Sequence, residues 1–205
     1  MSKIVLIGFG GHAHSVIDSI TQKSEYEIVG YVDVNKHEDY LGIKYLGNDD
    51  NLQDIFNSGV GNAVVCIGYM GNSNLRNEVY NKLKTIGYNL PSIIDETAVL
   101  ASNVNIGEGT FVGKGAIINA NSNIGKMCII NSKALIEHDC IIGDFSHIAV
   151  DSCLCGEVKI GNSVFLGANS TIVQGVSIGN DAFVGAGVVV TNSINSNEHI
   201  SIKCN

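Results

Sequence analysis

The stretch LASNVNIGEGTFVGKGAII, residues 100–118, places an aliphatic residue at every sixth position. A small or β-branched residue stands two positions before each of them. The same step continues without an exception over sixteen positions: Leu100, Ile106, Val112, Ile118, Ile124, Ile130, Ile136, Ile142, Ile148, Leu154, Ile160, Leu166, Ile172, Ile178, Val184 and Val190. A period of six sustained over this length is typical of a hexapeptide-repeat solenoid.

This repeat predicts a triangular prism of stacked coils. Three hexads form one coil of about eighteen residues, with short strands as walls and the aliphatic side chains on the axis. Residues one coil apart then lie about 4.8 Å from each other. Gly or Asn often follows the aliphatic residue, and we expect these residues at tight corners with positive φ. The sequence therefore predicts a parallel β-helix of roughly five coils.

The chain before Pro91 has a different pattern, in which apolar strands alternate with amphipathic helices. KIVLIG, YEIVGYVD and NAVVCIGY read as strands, and HAHSVIDSITQK, NLQDIFNSG and NSNLRNEVYNKLKTIG read as helices. Alternation of this kind predicts a small parallel sheet covered by helices. We therefore predict a Rossmann-like α/β domain over residues 1–92 and an all-β helix over residues 93–205.

The turn IGFGGHAHS, residues 7–15, matches the dinucleotide fingerprint G-x-G-x-x-G/A with Gly8, Gly10 and Ala13. Asp33 follows at the end of the next predicted strand. Such a turn presents backbone N–H groups and a helix N-terminus to an anion. A full NAD site needs more sheet than the region before Pro91 offers, so another phosphate-bearing nucleotide is favoured and NAD stays open.

Composition excludes several classes of partner. The net charge of −8 argues against a nucleic-acid or anionic-membrane surface. No apolar stretch approaches the ~20 residues of a spanning helix, and no signal peptide is expected. The six cysteines show no secreted-type framework, which predicts a reduced, cytoplasmic protein.

Several cysteines and histidines are expected to have no catalytic or metal-binding role. Cys128 and Cys140 are expected in the prism core, and the Cys153–Cys155 pair is expected to be structural rather than a metal site. His37 and His199 lie in polar surroundings and are expected to have no special role.

The segment IEHDCIIGDFSHI, residues 136–148, interrupts the regular repeat with chemically active side chains. A carboxylate beside His138 would raise the basicity of its imidazole, which suits a general base. Gly156 is expected one coil above His138, where its unobstructed N–H could polarise an acyl carbonyl. A merely solvated histidine is the alternative, and a zinc site between subunits would need a third histidine besides His138 and His147.

Together these motifs resemble the PglD/NeuD family of bacterial sugar acetyltransferases. The resemblance rests on GFGGHA, GYVD, IGYMGNSNLR, INSKALIEHDCIIGDFSHIAV and GEVKIGNSVFLGANS, and it spans roughly residues 3–193. It implies a left-handed β-helix that binds acetyl-CoA, a Rossmann-like domain that binds a nucleotide-sugar, and a homotrimer with active sites between subunits. The family's usual final segment, G-x-P-A-[KR], is absent from NSNEHISIKCN, residues 195–205, which puts binding of the nucleotide end of CoA in question.

The resemblance also implies roles for individual residues. His138 would be the catalytic base and Asp139 its acidic partner. The residues implied to bind the nucleotide-sugar are Gly10, Gly11, His12, Asp33 and Asn131. Those implied to bind acetyl-CoA are His147, Gly156, Ala168 and Ala186.

The implied reaction is N-acetylation of a UDP-linked 4-amino-sugar for surface glycan assembly, with acetyl-CoA as co-substrate and no metal. O-acetylation of sialic acid, as in the NeuD branch, stays open because a hydroxyl and an amine need the same base. A non-catalytic sensor of a sugar-nucleotide or NAD is the third hypothesis. The sequence leaves the nucleotide, the sugar and the glycan pathway undetermined.

Overall fold

The computed structural model describes residues 1–69, 71 and 73–201. The chain divides into two compact units, one formed by Met1–Gly68 with Asn74–Ile93 and the other by Tyr69–Ser73 with Ile94–Asn205. The segment Tyr69–Ser73, which lies inside the predicted first domain, therefore groups with the second unit.

The first unit combines a parallel sheet with helices, as predicted. Its elements are β1 (Ser2–Ile7), α1 (Gly11–Lys23), β2 (Tyr26–Val32), a 3₁₀ turn (Asp49–Asn51), α2 (Leu52–Asn57), β3 (Asn62–Val65) and α3 (Asn74–Ile86). The parallel sheet has the order β2-β1-β3, so β1 is central, and Ile4, Val5 and Leu6 of that strand are fully buried. The predicted alternation of strands and helices is confirmed.

The prism consists of two-residue strands joined by four-residue turns, except that residues 191–198 connect the last two strands. Its strands are β4 (Ile93–Ile94), β5 (Val99–Leu100), β6 (Asn105–Ile106), β7 (Phe111–Val112), β8 (Ile117–Ile118), β9 (Asn123–Ile124), β10 (Ile129–Ile130), β11 (Leu135–Ile136), β12 (Ile141–Ile142), β13 (His147–Ile148), β14 (Cys153–Leu154), β15 (Lys159–Ile160), β16 (Phe165–Leu166), β17 (Thr171–Ile172), β18 (Ser177–Ile178), β19 (Phe183–Val184), β20 (Val189–Val190) and β21 (His199–Ile200).

Within the described residues the strands form three parallel sheets, which are the walls of the prism. Sheet one contains β4, β7, β10, β13, β16, β19 and β21; sheet two contains β5, β8, β11, β14, β17 and β20; sheet three contains β6, β9, β12, β15 and β18. Pairs such as Ile130 with Ile148 are eighteen residues apart. The last coil is two residues shorter, because Val184 pairs with Ile200.

The axis of the prism is the predicted stack of aliphatic side chains. The second residue of each strand points inward, and from Val112 to Val190 every one of these side chains is almost completely buried. Cys128 and Cys140 are also buried in this core, which confirms their predicted placement.

The backbone conformation of the turns differs from the prediction. We expected positive φ at the residue directly after each aliphatic position. That prediction was wrong, because positive φ occurs two residues later, as at Lys133 (58°) and Asp139 (60°). The first corner residue is often Gly for a steric reason instead. A β-carbon on Gly143 would stand 2.6 Å from the carbonyl carbon of Gly161 in the next coil. Close stacking of the coils, rather than a left-handed backbone, excludes a side chain there.

Across the part of the chain that the structure covers, none of the helices combines the length and the apolar character needed to cross a bilayer.

Candidate active site

Two edges of the prism carry the predicted site residues. The 2–3 edge consists of the turns that follow the strands of sheet two, including residues 119–122, 137–140 and 155–158. The 1–2 edge consists of the turns that follow the strands of sheet one, including residues 131–134, 167–170 and 185–188.

His138 and Asp139 form a hydrogen-bonded pair on the 2–3 edge. Nδ1 of His138 lies 2.8 Å from Oδ2 of Asp139, and each side chain is about half exposed. An ionised carboxylate only accepts hydrogen bonds, so Nδ1 carries the proton in this pair. The lone pair of the neutral imidazole is then on Nε2, the atom available to take a proton from a substrate.

Negative charge surrounds this imidazole. The hydrogen bond that His138 donates to Asp139 is the largest cause that raises the pKa of His138, and the charges of Asp139, Glu137 and Glu157 raise it further. The pKa of Asp139 is lowered by its hydrogen bonds with His138 and Asn121. The pair is therefore arranged as a base of increased strength beside a carboxylate that stays ionised.

Gly156 lies directly against the His138 ring, as the eighteen-residue spacing predicted. A β-carbon at Gly156 would stand 2.6 Å from Cε1 and 2.7 Å from Nε2 of His138. Gly156 is consequently a buried residue in the single chain. Glycine is needed here because the imidazole occupies the space of a side chain.

The backbone N–H groups at the second position of each turn do not take part in the backbone–backbone hydrogen bonds that link one coil to the next. Where the turn carries a polar side chain, that side chain accepts the amide, as when Ser132 N–H donates to Oδ1 of Asn131 at 2.8 Å. Among the residues that the structure describes, no group accepts the N–H of Gly156, Ala168 or Ala186. Ala168 and Ala186 are also exposed residues.

A single chain does not bring all the predicted site residues together. His138, Asp139 and Gly156 share the 2–3 edge, whereas the 1–2 edge holds Asn131, Ala168 and Ala186. The two groups flank opposite sides of sheet two.

His147 lies on neither edge but on the outer face of sheet one, in β13. It is only 9% exposed, and its Nδ1 lies 2.7 Å from the carbonyl oxygen of Tyr69. The ring of Phe165 meets it edge-on, with centroids 5.2 Å apart. Tyr69 covers this histidine, an arrangement that the hexad pattern could not predict.

The first unit contains a separate cavity of about 430 Å³ at the carboxyl ends of β1 and β3. Gly10, Gly11, His12 and Asp33 line it, so four of the predicted ligand-binding residues meet there. Helix α1 begins at Gly11 without a side-chain cap at its N-terminus. Its first-turn amides can therefore meet an anionic group in this cavity.

The carboxylate of Asp33 is held at the rim of this cavity. Its Oδ2 accepts the N–H of Phe9 at 2.8 Å and lies 3.1 Å from Nε2 of His37. His37, which was expected to have no special role, pairs with Asp33 and also lines the cavity. The spacing of four residues between Asp33 and His37 was the available signal.

The cysteines and carboxylates add no further site. Cys66, Cys128, Cys140, Cys153 and Cys155, the cysteines within the described residues, are free thiols. No group of three or more His, Cys, Asp or Glu residues in that part of the chain is arranged to hold a metal ion.

Comparison with known proteins agrees with this geometry. Residues 3–83 match the model of the PglD N-terminal domain, and residues 157–192 match that of the hexapeptide repeat of succinyl-transferase. No curated protein sequence matches the chain significantly.

Solved structures resemble the whole chain. A histidine variant of perosamine N-acetyltransferase from Caulobacter crescentus, in complex with CoA and GDP-perosamine, is 34% identical over 100% of this chain and 98% of its own, with a TM-score of 0.93. PerB from the same organism, with the same two ligands, is 36% identical over 96% and 92%, with a TM-score of 0.89. The acetyltransferase domain of PglB from Neisseria gonorrhoeae, in complex with acetyl coenzyme A, is 26% identical over 96% and 94%, with a TM-score of 0.87.

Proposed function

Because this chain belongs to the PglD family of left-handed β-helix sugar acetyltransferases, we propose that it moves an acetyl group from acetyl-CoA to the amino group of a nucleotide-linked amino-sugar. The observation that carries this proposal is the His138–Asp139 pair packed on Gly156, with Nε2 available as a base. Both relatives described above that are more than 30% identical were solved in complex with CoA and GDP-perosamine.

In the proposed reaction the neutral amine attacks the thioester carbonyl carbon while Nε2 of His138 takes a proton from the amine. The C–N bond forms, the C–S bond breaks, and the proton passes from His138 to the departing sulfur. Gly156 N–H donates to the oxyanion that develops on the carbonyl oxygen. Asp139 stabilises the imidazolium formed in between, so no covalent enzyme intermediate is required.

The free amides of the 1–2 edge fit the amide-bearing arm of CoA. Ala168 and Ala186 are small and exposed, and their N–H groups have no acceptor in the described structure. We also assign His147 to the binding of acetyl-CoA. This assignment rests on the family resemblance alone, because in the single chain Tyr69 covers the His147 side chain.

The cavity of the first unit is the proposed nucleotide site. Gly10, Gly11 and His12 would meet the phosphates, and Asp33 would meet the nucleoside. Asn131, on the 1–2 edge of the prism, would contact the sugar. A GDP-linked amino-sugar is the first acceptor to test, with UDP-linked 4-amino-sugars next.

We further propose a homotrimer whose active sites lie between copies. The outward side chains of sheet two include Val99, Ile117 and Val189, which are 61%, 38% and 62% exposed in the single chain. This apolar face lies between the two edges that carry the site residues. A second copy packed against it would bury the face and could bring a 1–2 edge to a 2–3 edge. We also propose a cytoplasmic location, because the described cysteines are free thiols and a reducing compartment keeps thiols in that state.

Mixing inactive variants tests this arrangement. His138→Ala changes the 2–3 edge and Ala186→Arg changes the 1–2 edge, so each variant alone should be inactive. If the two edges meet between copies, mixed oligomers contain some intact sites and recover activity after joint refolding. No recovery in oligomers shown by light scattering to be mixed would mean that one chain supplies the whole site.

The function itself is tested by release of CoA thiol from acetyl-CoA in the presence of GDP-perosamine, UDP-linked 4-amino-sugars or sialic acid. We expect turnover with a nucleotide-linked amine and a product acetylated on nitrogen by mass spectrometry. His138→Ala should keep ligand affinity and lose turnover. Turnover with sialic acid alone would support O-acetylation, and ligand binding without CoA release would support a sensor.

A further inference from the structure

A line of amide side chains follows the 2–3 edge below the His138–Asp139 pair. Asn103, Asn121 and Asp139 occupy the same turn position in three successive coils, each eighteen residues from the next. Nδ2 of Asn121 donates to Oδ1 of Asp139 at 3.1 Å. The other carboxylate oxygen of Asp139, Oδ2, is the one that binds His138.

Asn121 is itself held in one orientation by Asn103. Its Oδ1 accepts a hydrogen bond from Nδ2 of Asn103, and its backbone N–H donates to Oδ1 of Asn103 at 3.2 Å. A carboxylate cannot donate, so the amide of Asn121 must present Nδ2 to Asp139. Both polar ends of the Asn121 side chain are thus committed.

This line decides which way the carboxylate of Asp139 points. Asp139 is about half exposed, and a carboxylate in that position would otherwise be free to rotate towards water. With Oδ1 held by Asn121, Oδ2 is aimed at Nδ1 of His138. Supporting hydrogen bonds of this kind keep catalytic side chains in one geometry.

We propose that Asn121, secured by Asn103, is a positioning residue that orients Asp139 towards the base His138. This inference rests on the proposed function, because it assigns Asn121 to the same reaction. Asn121 touches no reacting atom and acts only through Asp139.

The charged groups that act on His138 are Asp139 on its own turn, Glu137 beside it and Glu157 from the next coil. None of them is replaced when Asn121 is changed. A change in the titration of His138 would therefore report the orientation of Asp139 rather than the loss of a charge.

The test is Asn121→Gly in the full-length protein. Residue 121 has φ of 61°, which glycine adopts without strain, so the turn should be retained. Asn105→Ala is the matched control, because Nδ2 of Asn105 makes the same kind of bond to Oδ1 of Asn123 at 2.9 Å on the face of sheet three. Asn103→Ala is the second variant, and it loosens Asn121 without removing it.

We expect Asn121→Gly to lower kcat about tenfold and to leave KM for both substrates unchanged. The magnitude is taken from metal-binding histidines, where loss of the residue that supports the ligand costs about tenfold or more in activity. The acid limb of the pH–kcat profile should move to lower pH, because a loosened Asp139 raises the pKa of His138 less. NMR titration of isotope-labelled histidines, assigned with His138→Ala, should show the same fall in the pKa. Asn103→Ala should act in the same direction more weakly, and Asn105→Ala should change nothing.

A pH profile and a His138 titration of Asn121→Gly that superimpose on those of the wild type would overturn the proposal, as would an equal effect of Asn105→Ala. If Asn121→Gly fails to fold, the titration of Asn103→Ala decides in its place. A wild-type protein that releases no CoA would refute the proposed function instead. The NMR titration, which needs no substrate, would still decide what Asn121 does to Asp139 and His138.

Discussion

The imidazole of His138 rests on the α-carbon of Gly156, and a β-carbon at that position would come within 2.7 Å of the ring nitrogen Nε2. The proposed base and the proposed oxyanion donor are therefore neighbours because of the coil repeat, not because of a loop that brings them together. Parallel stacking holds their backbones in register. The distance between them depends on the absence of a side chain at residue 156.

Gly156→Ala should accordingly inactivate the protein while leaving it folded. The added methyl group would push the imidazole out of place, and because His138 is half exposed it can swing into solvent at little cost to stability. We expect kcat to fall about 100-fold, the scale of a lost general base, with the melting temperature nearly unchanged. Gly61→Ala is the control, since a β-carbon there meets nothing within 4 Å. An active Gly156→Ala enzyme would mean that the ring position is unimportant.

The pH dependence of kcat/KM should reflect the effect of Asp139 on the pKa of His138. A general base works in its neutral form, so kcat/KM should fall as the pH drops below the pKa of His138. Asp139 raises that pKa above its ordinary value of 6.5. Asp139→Asn should therefore move the acid limb to lower pH and reduce the plateau about tenfold, because the base is weaker. Asp151→Asn, at an equivalent positive-φ turn position on the 1–2 edge, should leave the profile unchanged. An acid limb that stays in place would exclude Asp139 as the partner.

A single negative charge at residue 11 should separate nucleotide binding from acetyl transfer. Gly11 is the first residue of α1 and lines the cavity, with open space where a side chain would go. A carboxylate at a helix N-terminus stabilises the helix, so Gly11→Asp should fold normally. It should also repel the phosphates and raise KM for the nucleotide-sugar about tenfold, with KM for acetyl-CoA unchanged. The neutral Gly11→Asn should have a smaller effect, and equal effects of the two variants would argue against phosphate binding at this turn.

Two glycines of the prism should differ in how much stability they lose on substitution by alanine. At Gly143 the new methyl group would meet backbone atoms of Gly161 at 2.6 Å, and overpacking of this kind costs about 1–3 kcal/mol. At Gly115, where φ is +63°, the nearest atom lies 3.8 Å away, so the cost is that of a left-handed alanine, about 1 kcal/mol. Urea unfolding at one protein concentration measures both. A larger loss at Gly115 would contradict the close-stacking explanation of the corner glycines.

The sequence alone determined the architecture of the prism, because its information is periodic. Each hexad repeats the same choice of which side chain faces the axis, so Leu100 to Val190 could be assigned to the core without knowledge of any long-range contact. The eighteen-residue stack also placed Gly156 beside His138 correctly. The phosphate turn was equally local, since Gly10 and Gly11 lie between a strand and a helix that follow each other in the chain.

Only the tertiary structure decided how the side chains at the corners are used. The contacts of Asn121 with Asp139, of His37 with Asp33, and of His147 with Tyr69 depend on side-chain rotamers and on segments that fold back from elsewhere. Periodicity specifies where a backbone runs, but in an exposed turn several hydrogen-bond partners compete for one polar group. Three-dimensional packing determines which of these hydrogen bonds forms. The support that Asn121 gives to Asp139 belongs to this second kind of information.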